Sequence, residues 1–226
     1  MEAKQKAVQV TELLEEKFGI PPRDNVMDPL SALILTVLSQ STNDKNRDHA
    51  YRRLREKYPN WEEVMNGDVN IIADAIRPGG LANQKSERIK AILKWIKDEY
   101  GSLNLDSLCD MDTDAIIEKF TQLKGVGVKT ISVVMMFSCG IDIFPVDTHV
   151  HRICRRLGFL PEKATAEKTF WVMRPLVPKG KSYSLHMNFL KLGRTICFAR
   201  KPKCEICPVS GVCEFYLRKK DDINSE

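Results

Sequence analysis

Several features of membrane and secreted proteins are missing from this chain of 226 residues. No apolar run approaches the roughly 18 residues that a membrane-spanning helix requires. The N-terminal segment lacks the continuous apolar stretch of a signal peptide. Its seven cysteines are an odd number, which argues against a disulfide-stapled secreted protein. We therefore expect a soluble monomer in a reducing, intracellular setting, with no membrane partner.

The sequence also lacks the alternating apolar and polar pattern of β-strands, internal repeats and low-complexity linkers. Apolar residues recur instead at helical spacing, and proline or glycine separates the helical segments. The sequence therefore predicts an all-α fold. The predicted helical segments are 7–18, 30–38, 44–57, 61–65, 69–76, 85–100, 112–123, 128–138, a run after residue 147, 165–176 and 182–197.

The net charge of the chain is mildly basic, at +5 with a pI near 8.8. A small positive charge permits a nucleic-acid partner but does not require one. The hydrophobic content of 43% is sufficient for an ordinary globular core.

Four cysteines lie close together near the C-terminus, in the spacing C-x6-C-x2-C-x5-C. Four thiolates so close together can hold one metal centre, and the ligand type alone leaves structural zinc and an iron–sulfur cluster both open. Three cations in the first gap, Arg200, Lys201 and Lys203, favour contact with phosphate groups. The cysteines are Cys197, Cys204, Cys207 and Cys213.

A glycine turn at residues 123–127, with the sequence LKGVG, separates two of the predicted helices. Gly125 and Gly127 allow a sharp bend and a close approach of the backbone to an anion. The next helix begins directly afterwards, and its N-terminus favours a phosphate. The turn thus resembles a helix–hairpin–helix contact to DNA, made by Lys124, Gly125, Val126 and Gly127, although an ordinary helix–helix turn remains open.

Lys129 and Asp147 are the candidate catalytic residues. Lys129 lies in the first turn of the helix after the hairpin and is either a solvated lysine or a nucleophile of lowered pKa. Asp147 precedes another helical run, where it can cap the helix or place a negative charge near a reacting centre. His149, two residues later, is expected to be a scaffold residue or a phosphate contact.

Together these motifs resemble the endonuclease III family of DNA glycosylases, from about Leu30 to Cys213. The family carries L-P-G-V-G-x-K-T and, eighteen residues after the lysine, V-D-T-H; residues 123–130 and 146–149 match at that spacing. The cysteine spacing and the A-R-K-P string at 199–202 also match. Lys124 replaces the usual proline of the hairpin, and Ala82 stands where relatives often carry an aromatic residue near the base pocket.

The resemblance implies a 4Fe–4S cluster held by the four cysteines, with Lys129 as Schiff-base nucleophile and Asp147 as essential carboxylate. It also implies that Gln40, in LSQST, fills the gap left by an extruded nucleotide and that Leu81 is a second wedge. Two helical lobes would flank a DNA-binding cleft. They would be a helical barrel over 21–141, with the helix–hairpin–helix at about 112–138, and a domain of 1–20 plus 142–226 that holds the cluster.

By this resemblance we expect a bifunctional glycosylase and AP lyase of base excision repair, acting on damaged or abasic double-stranded DNA. It would remove oxidised pyrimidines and cut 3′ to the abasic site, in a prokaryotic cytoplasm at the nucleoid or elsewhere inside a cell. The alternatives are a monofunctional uracil or mismatch glycosylase and a non-catalytic DNA-binding protein.

Overall fold

The computed structural model describes residues 1–24 and 26–224 and confirms the all-α prediction, because every regular element in those ranges is helical. None of the helices in the described ranges has the length and apolar character needed to cross a membrane. The chain divides into two compact units, Asn25–Ile141 and Met1–Asp24 with Asp142–Glu226.

The first unit contains seven α-helices within its described residues, and α2 is its central element. Nine of the ten residues of α2 are buried, which explains the dense apolar composition of this segment. Asp28 begins α2 by accepting a hydrogen bond from the Ser31 N–H at 2.8 Å, and Pro29 occupies the first helical position. The seven helices are α2 (Pro29–Leu38), α3 (Asp44–Lys57), α4 (Trp61–Asn66), α5 (Val69–Ile76), α6 (Ala82–Tyr100), α7 (Thr113–Thr121) and α8 (Val128–Ser138).

The other unit combines the N-terminal helix with the last third of the chain. Here α11 packs against both α9 and α1, and Phe189 and Leu192 of α11 are fully buried in the core. The helices are α1 (Ala3–Phe18), α9 (Thr148–Leu157), α10 (Ala166–Met173), α11 (Ser182–Thr195) and α12 (Glu214–Asn224).

Most helix boundaries agree with the sequence prediction to within three residues. Helix α6 begins at Ala82, three residues ahead of the predicted start, because Leu81 adopts a left-handed conformation and marks the boundary. Helix α12 was not predicted from the sequence. It ends at Asn224, within the polar tail of the chain, and residues 225–226 lie outside the described residues.

A disulfide joins Cys109 to Cys139, whose Cα atoms are 4.9 Å apart. These two cysteines are 30 residues apart, and no motif in the sequence predicts that they pair. They meet because Cys139 ends α8 and Cys109 lies in a 3-10 turn that packs against α8. The disulfide therefore closes the segment that contains α7, the glycine turn and α8.

Candidate nucleic-acid interface and iron–sulfur site

The glycine turn, which we call the hairpin (residues 123–127), joins α7 to α8. The Val126 N–H donates to the Leu123 carbonyl at 2.9 Å, and the Val126 side chain is buried. Val126 therefore anchors the turn. Gly127 and Lys124 are exposed, and Gly125 has a φ of +89°, which glycine adopts without strain.

Lys129 is the second residue of α8 and is half-buried. Gly127 is the N-cap residue of this helix and provides no side-chain cap. The first turn of α8 therefore combines uncapped N–H groups with a lysine ammonium, and both attract an anion.

Gln40, just after α2, is bound to the hairpin. Its Nε2 donates to the Gly125 carbonyl at 2.9 Å, and its Oε1 accepts from Arg88 Nη1 at 2.6 Å. In this structure, therefore, the side chain expected to fill the gap in DNA is held against the hairpin by two hydrogen bonds.

Leu81 is the N-cap residue of α6 and has an exposed side chain, at 56% relative exposure. Its φ of +49° is uncommon for a residue with a side chain. Among the described residues, the other non-glycine positions with positive φ are Ser41 and Lys201. Backbone conformations of this kind cluster at functional sites. All three lie at or beside residues that the sequence associates with DNA.

Sequence reasoning missed the buried Lys85, which is 1% exposed. Its Nζ donates to the carbonyls of Leu38 at 2.7 Å and Gly79 at 2.8 Å, two residues before Gln40 and two before Leu81. Burial lowers the pKa of Lys85 below its usual value. One signal was present in the sequence: Lys85 is four residues before the core residue Ile89 and so shares the apolar face of α6.

Asp147 is the N-cap residue of α9, as one of the two sequence interpretations proposed. Its Oδ1 accepts from the Val150 N–H at 2.7 Å, and the carboxylate is half-buried. Burial, and to a smaller extent the charge of Asp147, raise the pKa of the buried Cys154 thiol well above its usual range. Cys154 is therefore a neutral core residue.

His149 is half-buried and packs against α11 of its own unit. Its ring lies against Gly193, where an added Cβ would come within 2.6 Å of Nδ1. The same Nδ1 lies 3.0 Å from Nη2 of Arg152. These contacts favour the scaffold interpretation of His149.

The four clustered cysteines line one cavity beneath residues of α9 and α11. In the described part of the chain, no three His, Cys, Asp or Glu side chains are grouped tightly enough to hold a single metal ion. Burial raises the pKa of the Cys207 thiol to about 11 and also raises the pKa values of Cys204 and Cys213. Four thiols around one cavity, two of them buried and two half-buried, suit a polynuclear cluster whose metal displaces the thiol protons.

The segment from Cys197 to Cys204, which we call the cluster loop, accepts hydrogen bonds from two arginine side chains of α9. Arg152 donates to the Cys197 carbonyl at 2.8 Å. Arg156 donates to Cys197 Sγ at 3.1 Å, to the Phe198 carbonyl at 2.7 Å and to the Ala199 carbonyl at 3.0 Å. The three cations of the loop, Arg200, Lys201 and Lys203, are exposed.

The helical fold, the hairpin and the cysteines around one cavity define a helix–hairpin–helix protein with a four-cysteine site. The family model of the HhH-GPD superfamily of base excision DNA repair proteins matches residues 34–179, and the iron–sulfur binding domain of endonuclease III matches residues 197–213. The chain belongs to this superfamily and is an endonuclease III-like DNA glycosylase with a 4Fe–4S cluster as cofactor.

Individual relatives are similar over nearly their whole length. Endonuclease III of Thermotoga maritima is 35% identical over 211 residues, which cover 93% of this chain and 94% of that protein. A structure of a trapped endonuclease III–DNA covalent intermediate has a TM-score of 0.82 at 25% identity, covering 97% of this chain and 100% of that one. A thermostable thymine-DNA glycosylase has a TM-score of 0.78 at 25% identity, covering 96% and 97%.

Proposed function

We propose that the protein is a bifunctional DNA glycosylase and AP lyase that removes oxidised pyrimidines and cuts the strand 3′ to the resulting abasic site. The observation that carries this proposal is the position of Lys129, half-buried in the first turn of α8 directly after the hairpin. A backbone phosphate bound at the hairpin would lie close to this amine.

Lys129 is the proposed nucleophile. A lysine with the usual pKa of about 10.4 is protonated at neutral pH and cannot attack. The nucleophile is therefore the amine of Lys129 after it has lost a proton to a base.

Asp147 is the proposed carboxylate partner. Its bond to the Val150 N–H fixes one carboxylate oxygen and leaves the other for the substrate. A fixed negative charge stabilises the positive charge that develops on the sugar as the base departs. The carboxylate can also accept the proton that the lysine amine loses.

The reaction then proceeds in balanced steps. The Lys129 amine forms a bond to C1′ of the deoxyribose, and the C1′–N bond to the base breaks with its electron pair leaving on the base, which takes up a proton. The bound nitrogen gives up one proton to a base, and the C1′–O4′ bond then breaks with its electron pair leaving on the ring oxygen, which takes up a proton. A protonated Schiff base remains. Loss of a 2′ proton from this imine expels the 3′ phosphate by β-elimination, which cuts the strand.

The proposed DNA contacts come from both units. In the first, the hairpin contacts a backbone phosphate, and Gln40 and exposed Leu81 enter the base stack. In the other, Arg200, Lys201 and Lys203 of the cluster loop contact phosphates. Extruding a nucleotide costs a few kcal/mol and costs least at a damaged base, which contributes to selectivity.

Cys197, Cys204, Cys207 and Cys213 are the proposed ligands of the 4Fe–4S cluster, which supplies a structural crosslink between thiolates. Around it, Arg152 and Arg156 bind the loop carbonyls and orient the exposed cations. The protein residues alone carry out the proton transfers above.

Borohydride trapping on a duplex with one abasic site tests the proposal. We expect a covalent protein–DNA adduct from the wild type and none from Lys129→Gln, with Lys94→Gln, a change at an exposed lysine of α6, as a control that retains the adduct. Absence of an adduct from the wild type, or an undiminished adduct from Lys129→Gln, would overturn the assignment.

A monofunctional thymine glycosylase is the second candidate, favoured by the structural similarity to a thymine-DNA glycosylase. Ala82, where relatives often carry an aromatic residue, also permits a different base pocket. This enzyme would release thymine from a mismatch without strand cleavage or a trapped adduct, so an assay for base release separates the two.

A further inference from the structure

Arg88 of α6 contacts two elements that the proposed function assigns to DNA, Gln40 and the hairpin. Its Nη1 donates to Gln40 Oε1 at 2.6 Å. Its side chain also covers the hairpin, because a Cβ added to Gly125 would lie 2.0 Å from Arg88 Nε. Neither family membership nor the reaction above assigns a role to this arginine.

Gln40 contacts the hairpin as well as Arg88. Its Nε2 donates to the Gly125 carbonyl at 2.9 Å and lies 3.5 Å from Thr130 Oγ1. Arg88, Gln40 and Gly125 therefore form a connected group that links the end of α2, the first half of α6 and the hairpin. A primary amide held at both its oxygen and its nitrogen has one orientation.

The electrostatic environment of Arg88 is positive. Its Nε is buried without a hydrogen-bond partner in the described part of the chain. Lys85 lies one turn earlier in α6, and the Arg88 charge contributes to lowering the pKa of Lys85.

We propose that Arg88 is a positioning residue for DNA engagement, which holds the Gln40 amide and the hairpin backbone in the geometry that damaged DNA requires. It does so without contacting DNA: its Nη1 donates to Gln40, and its Nε and Cδ lie over Gly125. Holding both elements before binding reduces the ordering that binding must supply. This inference rests on the proposed function, since it assumes that Gln40 and the hairpin meet DNA.

Two mechanisms by which Arg88 aids binding can be separated. An arginine that neutralised a phosphate would add about 1 to the slope of log affinity against log salt concentration. A positioning residue acting through Gln40 leaves this slope unchanged and shows strong coupling to Gln40 in a double-mutant cycle.

The experiment measures the affinity of the cluster-containing protein for a duplex with a non-cleavable tetrahydrofuran abasic site, over a range of salt concentrations. The variants are Arg88→Met, which keeps the length of the stem, Gln40→Ala and the double variant. Lys94→Met is the matched control, because it removes one exposed positive charge from the same helix.

We expect each single change, Arg88→Met or Gln40→Ala, to weaken binding about 10-fold and the double variant to be no more than about 3-fold weaker than either. The salt slope of Arg88→Met should equal that of the wild type, and Lys94→Met should bind within about 2-fold of it.

Arg88→Lys gives a second test that preserves the charge. Because lysine lacks the planar fork, we expect it to lose about as much affinity as Arg88→Met. Full affinity in Arg88→Lys, multiplicative losses in the double variant, or a salt slope reduced by about 1 would each overturn the positioning role. Thermal unfolding of every variant confirms that it is folded.

A failure of the proposed function has a different signature. If wild-type protein forms no borohydride adduct yet prefers the abasic duplex, the lyase assignment fails while the Arg88–Gln40 coupling can still be measured. If wild-type protein binds abasic and intact duplexes equally, Gln40 does not meet damaged DNA, and the Arg88 proposal is overturned with it.

Discussion

The hairpin and the cluster loop are both proposed to contact DNA, but they are held in different ways. The hairpin lies between two helices and makes its own backbone bonds, such as Leu123 N–H to the Phe120 carbonyl at 3.1 Å. The cluster loop has little regular structure, and its carbonyls at Cys197, Phe198 and Ala199 are bound by arginine side chains. The hairpin thus combines its own backbone bonds with one distant donor, Gln40 Nε2, whereas the cluster loop has carbonyls at three successive residues bound by distant donors.

The hairpin and the cluster loop also differ in the role of the cysteines that flank them. The segment containing the hairpin is closed by the Cys109–Cys139 disulfide and needs no added group. The cluster loop begins and ends at proposed ligands of an iron–sulfur cluster, Cys197 and Cys204. Removal of iron and chemical reduction should therefore act on different units of the protein.

The largest expected effect is loss of the cluster in Cys213→Ser. Structural metal sites contribute on the order of 10 kcal/mol to the folding of the segments that they hold. We therefore expect iron content to fall sharply and the cluster-containing unit to unfold at much lower denaturant concentration, while the disulfide persists.

Cys154→Ala is the matched control for that change, because Cys154 is buried but does not line the cluster cavity. It should retain its iron and lose only about 1–2 kcal/mol of unfolding free energy through the small cavity created. Full iron content in Cys213→Ser would contradict its assignment as a ligand.

The next largest effect is expected from opening the disulfide. The double variant Cys109→Ala, Cys139→Ala should lower the unfolding free energy by about 3–4 kcal/mol, from the loop entropy of a crosslink across about 30 residues. Denaturant titration under oxidising conditions measures the change. Reductant should weaken the wild type by a similar amount and leave the double variant unaffected; equal stability of both proteins without reductant would show that the bond is not formed.

The sequence predicted the helices well where the pattern is local. The segments 44–57, 69–76 and 128–138 agree with α3, α5 and α8 at both ends, because capping residues and apolar spacing act over a few residues. Helix α12 was missed because its residues, EFYLRKKDDIN, are mostly polar. The helix packs next to the four-cysteine site, and this contact could not be inferred from its local sequence.

Motif spacing predicted the chemistry of the site, but contacts distant in sequence could not be inferred from it. Nothing local in Arg88 indicates its bond to Gln40, 48 residues away, and nothing in Arg156 indicates its bonds to a loop 41 to 43 residues later. A lysine or arginine on a helix is usually solvated, so sequence alone favours the wrong environment for Lys85.

Substitutions at the two hairpin glycines test whether Arg88 restricts the conformation of the hairpin. Gly125→Ala places a side chain at φ +89° and against Arg88, so we expect a loss of about 2 kcal/mol in unfolding free energy. Gly127 has a φ of −96° and no atom within 4 Å of an added Cβ, so Gly127→Ala should cost less than about 1 kcal/mol. Equal losses in the two variants would show that Arg88 does not restrict the hairpin.

The smallest expected effect concerns the arginine behind the cluster loop. Arg156→Met removes hydrogen bonds to Cys197, Phe198 and Ala199, part of them exposed to solvent, and should lower the unfolding free energy by about 1–2 kcal/mol. Arg155→Met is the control on the same helix, since Arg155 is exposed and the change removes only its charge.

A binding experiment tests whether Arg156 positions the loop without contacting DNA, as proposed for Arg88 and the hairpin. In that case Arg156→Met weakens binding to the abasic duplex and leaves the salt slope of binding unchanged. A slope reduced by about 1 would instead make Arg156 a phosphate contact, and the two regions would then differ in this respect as well.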